Sequence, residues 1–229
     1  MNHFDQIADY DAEIEPHLRE HYLRKKISLI QQCLESIQCS ARPRILDVGC
    51  GTGWHMHALG NVAEVAGVDS SGRQVSLAQS NNPECQVLCA DATDLPFENG
   101  SFDLVFSINM IHHLPSRVAQ KKALDEMRRV TRNGGLVVIH DINVKNPIIR
   151  FYMNYVFPRL HTIDSGGEIW IDPEFLSEVL GKAQLVRFFT FVPEITPPAL
   201  LPLLRPFESL AERSFLAQWG AHFMVAHKV

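Results

Sequence analysis

Three glycines follow a short apolar run in Ile45-Leu46-Asp47-Val48-Gly49-Cys50-Gly51-Thr52-Gly53. Glycine adopts backbone torsions that other residues resist, and it lets a ligand come close to the main chain. The pattern predicts a buried strand that runs into a tight, ligand-cradling loop. Two details narrow the ligand. Position 54, where a dinucleotide fingerprint needs its last small residue, is Trp54, whose indole opposes close packing around a pyrophosphate. Asp47 ends the strand, and a carboxylate there repels phosphate but attracts an ammonium group. The next strand closes on Gly67-Val68-Asp69-Ser70, which puts Asp69 about 20 residues beyond Gly49, where an acid can accept hydrogen bonds from ribose hydroxyls. A third strand closes on Cys89-Ala90-Asp91-Ala92, and Asp91 could accept from an exocyclic amine. Any one of these acids could simply cap a following helix. Three in order, at the carboxyl ends of successive strands, predict a ligand edge.

Proton-transfer candidates lie beyond them. His112 and His113 come directly after a fourth strand and its polar tip, Ser107-Ile108-Asn109. A neutral imidazole there could take a proton from a hydroxyl, an amine or an acidic carbon. The competing reading is packing or capping ahead of Pro115. His140 and Asp141, at the tip of a fifth strand, are the second choice, and His161 the third. His55 and His57, two apart on a helix, point to different sides and read as packing or surface residues.

The elements that must position these groups alternate between short apolar runs and amphipathic stretches, which predicts an α/β fold with parallel strands. Strands are expected at Arg44–Val48, Glu64–Asp69, Cys85–Ala90, Asp103–Ile108 and Gly135–Ile142, then at Gln184–Val192 and Ala221–Lys228. Helices are expected over Asp11–Gln38 (one or two), Ser116–Arg132, Asp172–Gly181 and Arg205–Gln218. The basic run of the second reads as a solvated face, with arginines suited to the helix dipole. Asn133-Gly134-Gly135 should stop that helix. No repeat or linker divides the 229 residues, so a single domain is expected. Residues 1–40 form a helical cap, 41–142 the cofactor half, and 143–171 and 193–220 two insertions on the substrate side.

The run DVGCGTG, then GVDSS, ADATDLPF and SFDLVFSINMIHHL, resembles the class I S-adenosylmethionine-dependent methyltransferases of the type 11 group over roughly residues 40–142. The resemblance implies a Rossmann-like, doubly wound sheet of seven strands with helices on both faces, the last strand antiparallel. It implies S-adenosyl-L-methionine as cofactor, with Asp47, Gly49, Cys50 and Gly51 around its methionine moiety. Asp69 and Ser70 would hold the ribose, Asp91 and Ala92 the adenine, and the segment ending at Asn109 would lie under the sulfonium. Tyr10 matches a position that folds over the cofactor in similar enzymes. Metal-dependent relatives of the catechol type use an acid where this chain has Ser107-Ile108-Asn109, so no metal site is proposed. Nucleobase and glutamine methylating enzymes carry an Asn/Asp-Pro-Pro-aromatic tetrad where this chain has Asn109-Met110-Ile111-His112.

Composition bears on the acceptor and the compartment. With 21 Lys+Arg against 26 Asp+Glu the net charge is −5, and the pI is near 6.1, which disfavours bulk electrostatic binding of nucleic acid. Five cysteines without a CxxC pair, and an N-terminus without a signal pattern, fit a reduced, cytoplasmic setting. No apolar run is long enough to span a bilayer. Aromatic Ile148–Phe157 and leucine-rich Ala199–Leu204 could wall an apolar acceptor pocket, rest on a membrane surface, or form a dimer interface or added core. The resulting expectation is O- or C-methylation of a small, lipophilic or lipid-linked acceptor by a monomer or homodimer. The rival readings are a non-catalytic S-adenosylmethionine sensor or partner subunit and a nicotinamide oxidoreductase, which Trp54 and Asp47 oppose.

Overall fold

The computed structural model describes residues 15–160 and 167–229. Seven strands form one sheet: β1 (Arg44–Val48), β2 (Glu64–Asp69), β3 (Gln86–Cys89), β4 (Phe102–Ile108), β5 (Thr131–Ile142), β6 (Ala183–Phe189) and β7 (His222–Lys228). Their order is β3-β2-β1-β4-β5-β7-β6. The first five are parallel, and β7 runs antiparallel to both β5 and β6, as expected. Strand order reverses at β1, next to β4, the place where open α/β sheets bind ligands at their carboxyl edge.

The helices are α1 (Pro16–Glu35), α2 (Trp54–Leu59), α3 (Gly72–Asn81), α4 (Arg117–Val130), α5 (Pro147–Phe151), α6 (Phe157–Leu160), α7 (Pro173–Leu180) and α8 (Leu201–Glu212). Caps set several boundaries. Ser71, Ser116 and Asp172 each accept a main-chain N–H from the first turn of α3, α4 and α7, and Asn146 does so for α5. Both sheet faces are covered. Ile30 of α1 and Met56 of α2 pack on one, and Ala123, Leu124 and Met127 of α4 with Leu176 of α7 on the other. None of the described helices is long and apolar enough to cross a membrane.

Several boundaries differ from expectation; β6 ends at Phe189 and not at Val192, and α8 at Glu212 and not at Gln218. Helix α4 stops at Val130, and Asn133–Gly134 lies inside β5, not ahead of it. The strand's first residue pairs with Phe102 and its regular pairing resumes at Leu136, so the intervening residues form a bulge. Gly135 has no room for a side chain there, since a Cβ would come 2.6 Å from the Asp103 carbonyl. Helix α8 begins at Leu201 and carries Pro202 in its first turn, where no N–H is needed, and Pro206 inside. Leu201 earns that early start by packing into a small cluster with Leu18, Tyr22 and Val192.

Candidate active site

The glycine loop is held by main-chain bonds to the neighbouring strand: Gly49 and Cys50 N–H both donate to the Val68 carbonyl, at 2.8 and 3.0 Å. Gly49, Gly51 and Gly53 all sit in the left-handed region, at φ +80°, +52° and +83°. Gly49 is doubly constrained, because a Cβ would meet Met110 Cγ at 2.4 Å; at Gly51 a Cβ would meet nothing within 4 Å, since it faces open space. Asp69 accepts from Gly51 N–H and Ser71 N–H, each at 2.9 Å, so its carboxylate is locked against the loop. Asp91 is exposed at the tip of β3 and accepts from Thr93 N–H at 2.8 Å. Ser107 donates to the Val48 carbonyl at 2.8 Å and ties the tips of β4 and β1 together.

A cavity of about 940 Å³ opens over these tips. Gly49, Cys50, Gly51, Asp69, Ser70, Asp91, Ala92 and Asn109 all line it, so the structure brings together eight of the ten residues expected at the cofactor. Asp47 lies beneath the lining, 1% exposed, and neither of its carboxylate oxygens has a partner among the described residues. Burial, and then the nearby Asp69 charge, hold its carboxyl well above the usual carboxylate range. Tyr10 and His161 fall outside the described residues.

Sequence reasoning passed over Gln74. It lines the cavity from α3, is 1% exposed, and neither amide atom has a partner among the described residues. The signal that could have found it is a polar residue on the buried side of an amphipathic helix directly after Asp69. Asn109 and Thr190 are the non-glycine residues with left-handed torsions, at φ 51° and 70°, among the described residues, and both line the cavity. A β-branched residue resists that region, and such strain gathers at functional sites. Glu212 helps hold Thr190 there by accepting its N–H at 2.8 Å.

The histidines separate into two groups. His112 lines the cavity, and its Nδ1 lies 2.7 Å from Asp141 Oδ1. That oxygen also accepts Ile142 N–H at 2.7 Å, so it is an acceptor and Nδ1–H donates to it. In the neutral ring Nε2 then carries the lone pair. The ring is packed between His113, at 4.1 Å between centroids, and Trp170, at 4.9 Å. His113 lines the cavity beside it. The structure does not bring His140 there. Adjacent strand residues point to opposite faces, so His140 turns away from Asp141 and stacks on His222 at 5.1 Å. Burial first, and the Lys26 charge second, hold it neutral far below the ordinary histidine range. His222 and His55 are pushed down to about 3 by the same two causes and do reach the cavity. His55 is therefore a lining residue, whereas His57 is exposed as expected.

The far wall is apolar. Ile148, Ile149, Met153 and Phe157 come from the first insertion, and Pro193 and Ile195 from the second. Ala199–Leu204 does not line the cavity; Leu201 faces α1 instead, through the cluster that starts α8 early. The roof is α1, which contributes Tyr22 and Lys26 from one helical face. Tyr22 donates its hydroxyl proton to the Val192 carbonyl at 3.0 Å.

Comparison with known proteins places this geometry. The methyltransferase domain family matches residues 46–139. The Mus musculus protein named Probable tRNA methyltransferase 9B is 35% identical over 96 residues, 42% of this chain and 21% of its own length. Demethylmenaquinone methyltransferase from Clavibacter sepedonicus is 32% identical over 163 residues, 62% of this chain and 65% of its own. The chain thus spans about a fifth of the first relative and just under two thirds of the second. A chain in the solved complex between the Haloferax volcanii Trm112 methyltransferase activator and a methyltransferase shares the fold, with a TM-score of 0.67 and 16% identity over 100% of this chain and 98% of that one.

Proposed function

Because the chain belongs to the class I S-adenosylmethionine-dependent methyltransferases, we propose that it transfers a methyl group to a small, lipophilic acceptor at an oxygen or acidic carbon. The observation that carries this reading is the continuity of the cavity from the glycine loop, Asp69 and Asp91 to the apolar wall of both insertions. Its volume is at the upper end for a single small-molecule site, which leaves room for cofactor and acceptor side by side.

The residues present fit the cofactor. Gly51 offers main-chain approach, Asp69 a carboxylate for ribose hydroxyls, Asp91 with Ala92 an adenine edge, and Gly49–Gly51 the methionine end. Gln74 and Asn109 Oδ1 add buried amide atoms without a partner among the described residues, on side chains that line the ligand space. When bound, S-adenosylmethionine supplies an electrophilic methyl group. The protein's task is to hold the acceptor in line and exclude water. The apolar wall positions the acceptor, and His112 Nε2 takes the proton that a hydroxyl or acidic carbon must lose. Asp141 orients the ring and stabilises the charge that then develops on it. Asn109, which lines the cavity at the tip of β4, would help hold the cofactor's sulfonium end.

Asp47→Asn separates stability from binding. An unpartnered buried carboxylate is costly, so the neutral amide is expected to stabilise the cofactor-free protein by about 1–2 kcal/mol in urea unfolding. A carboxyl whose folded pKa is raised favours folding at low pH and loses that contribution as pH climbs through the raised value. Cofactor affinity should run the other way, rising with pH as Asp47 ionises toward the ligand's ammonium group. Calorimetric titration should find that rise in the wild type and a flat, weaker profile in the variant.

The acceptor class is tested by incubating the protein with methyl-labelled cofactor and cell extract, then fractionating the products. Label in the lipid-soluble small-molecule fraction, with release of S-adenosylhomocysteine, is the expected result. Label only in protein or RNA overturns the acceptor assignment. Tight cofactor binding with no product from any fraction points instead to a sensor or partner subunit.

A further inference from the structure

Of the sixteen large hydrophobic side chains with substantial exposure among the described residues, eleven lie within the insertions 143–171 and 193–220. Those segments make up about a quarter of the chain. They are joined into one face: Asn143 donates to the Gln218 and Gly220 carbonyls, both at 2.9 Å, and Asn146 donates to the Trp219 carbonyl at 2.6 Å. The exposed residues also ring the cavity mouth. Ile148 is 73% exposed, Ile195 89% and Trp219 47%, and all three line the cavity.

Helix α8 shows the same division along its length. Its inner face presents Leu201, Leu204, Glu208 and Glu212 to α1. Leu203, Phe207 and Leu210, spaced four and three apart, point outward and are 64–71% exposed. A soluble surface seldom presents so much contiguous apolar area without a use.

Charge distinguishes the possible partners. Arg150, Arg159, Arg205 and Arg213 are the exposed charged residues of 147–159 and 193–220. The acids of those stretches turn inward: Glu208 and Glu212 bind Lys25, and Glu194 is half-buried beside Tyr152. So in a chain of net charge −5 the exposed charges of these stretches are arginines, in the same segments as the exposed apolar side chains. That combination suits anionic lipid, where apolar insertion and cation–headgroup attraction add.

We propose that the face built by the two insertions docks onto an anionic lipid bilayer, with the cavity mouth turned toward the lipid. Docking in this orientation would let a lipophilic acceptor reach the apolar wall without crossing water; that use rests on the acceptor reading above, although the docking does not. The test is co-sedimentation of the full chain, without cofactor or acceptor, with vesicles of phosphatidylcholine alone or with phosphatidylglycerol added. Binding to the anionic vesicles is expected to be about tenfold or more tighter, and to weaken in high salt. The double substitution Phe207→Asp with Leu210→Asp should lower binding by about tenfold or more, with an unchanged melting curve. If that variant fails to fold, quenching of wild-type tryptophan fluorescence by brominated lipid reads the same docking through Trp219. No binding by either readout at high lipid overturns the proposal. So does a wild-type dimer in analytical ultracentrifugation that the double substitution makes monomeric, since the face would then belong to a second copy. Vesicle binding is measured apart from methyl transfer, so failure of one leaves the other standing.

Discussion

Replacing His112 with alanine is expected to lower kcat by about 10²–10⁴-fold, the usual contribution of a general base. Cofactor affinity should stay within a few-fold of wild type, because Gly51, Asp69 and Asp91 are untouched. The size of the effect follows from what the ring is given. Asp141 is fully buried and His112 is 2% exposed, so their 2.7 Å bond is made where water does not compete. A carboxylate on Nδ1 fixes the tautomer and offsets the charge that appears when Nε2 accepts a proton. Asp141→Asn keeps the volume but can present its NH2 to Nδ1 and favour the wrong tautomer, so it should lose roughly as much activity as the alanine substitution. Both variants should flatten the ascending limb of the pH–rate profile, which a merely structural defect would not do. If His112→Ala retained activity within about threefold, the acceptor would lose no proton to this ring, and the methylated atom would be one that needs no base.

That dyad also marks how far the chain's order of residues could be read. The glycine loop and the three acids were legible because their requirements are local: left-handed torsions at Gly49, Gly51 and Gly53 demand glycine, and each acid belongs at a strand's carboxyl end. The seven strands were legible because apolar runs and turn residues alternate with little ambiguity. His112 and Asp141 were each visible as candidates, but not as partners, since they meet only through the pairing of β4 with β5, which sets Ile108 opposite His140. The same register explains why His140 points away: one residue along a strand changes the face. Gln74 escaped because burial of a polar side chain depends on what the opposite element leaves open. For the Ala199–Leu204 stretch the sequence left an acceptor wall, a membrane surface, a dimer interface and added core all open, because apolar composition does not say what a segment packs against. Leu201 and Leu204 pack on Leu18 and Tyr22 of α1, while Leu200 and Leu203 stay exposed.

Glu208→Gln is expected to cost about 3 kcal/mol of stability, or roughly 6–12 °C in Tm for a chain of this size. Glu208 is 3% exposed and takes four donors at once. Oε1 accepts Phe191 and Val192 N–H at 2.8 and 3.1 Å, while Oε2 meets His21 at 2.8 Å and Lys25 at 2.7 Å. Burial alone would raise its pKa, but the bonds from His21, Lys25 and Phe191 outweigh it and hold the carboxyl at about 2. An amide keeps one acceptor and turns its NH2 toward Lys25 or the main-chain donors, leaving buried charge uncompensated. The pH dependence carries the sign. A carboxyl with a depressed folded pKa contributes stability that is complete above its unfolded value, about 4.3, and is lost as pH falls toward 2. The difference between wild type and Glu208→Gln should therefore be full at neutral pH and shrink across that acid window, measured by urea unfolding at each pH. The effect should reach the active site as well. Glu208 joins α8 and the start of the second insertion to α1, and α1 holds Tyr22 and Lys26 over the cavity. Loosening that tie should raise KM for the acceptor more than it lowers kcat, because the His112–Asp141 pair stands on β4 and β5 and does not depend on it. A variant that matched wild type at both ends of the pH range would show that apolar packing of Leu18 and Tyr22 against Val192 and Leu201 suffices to keep α1 in place.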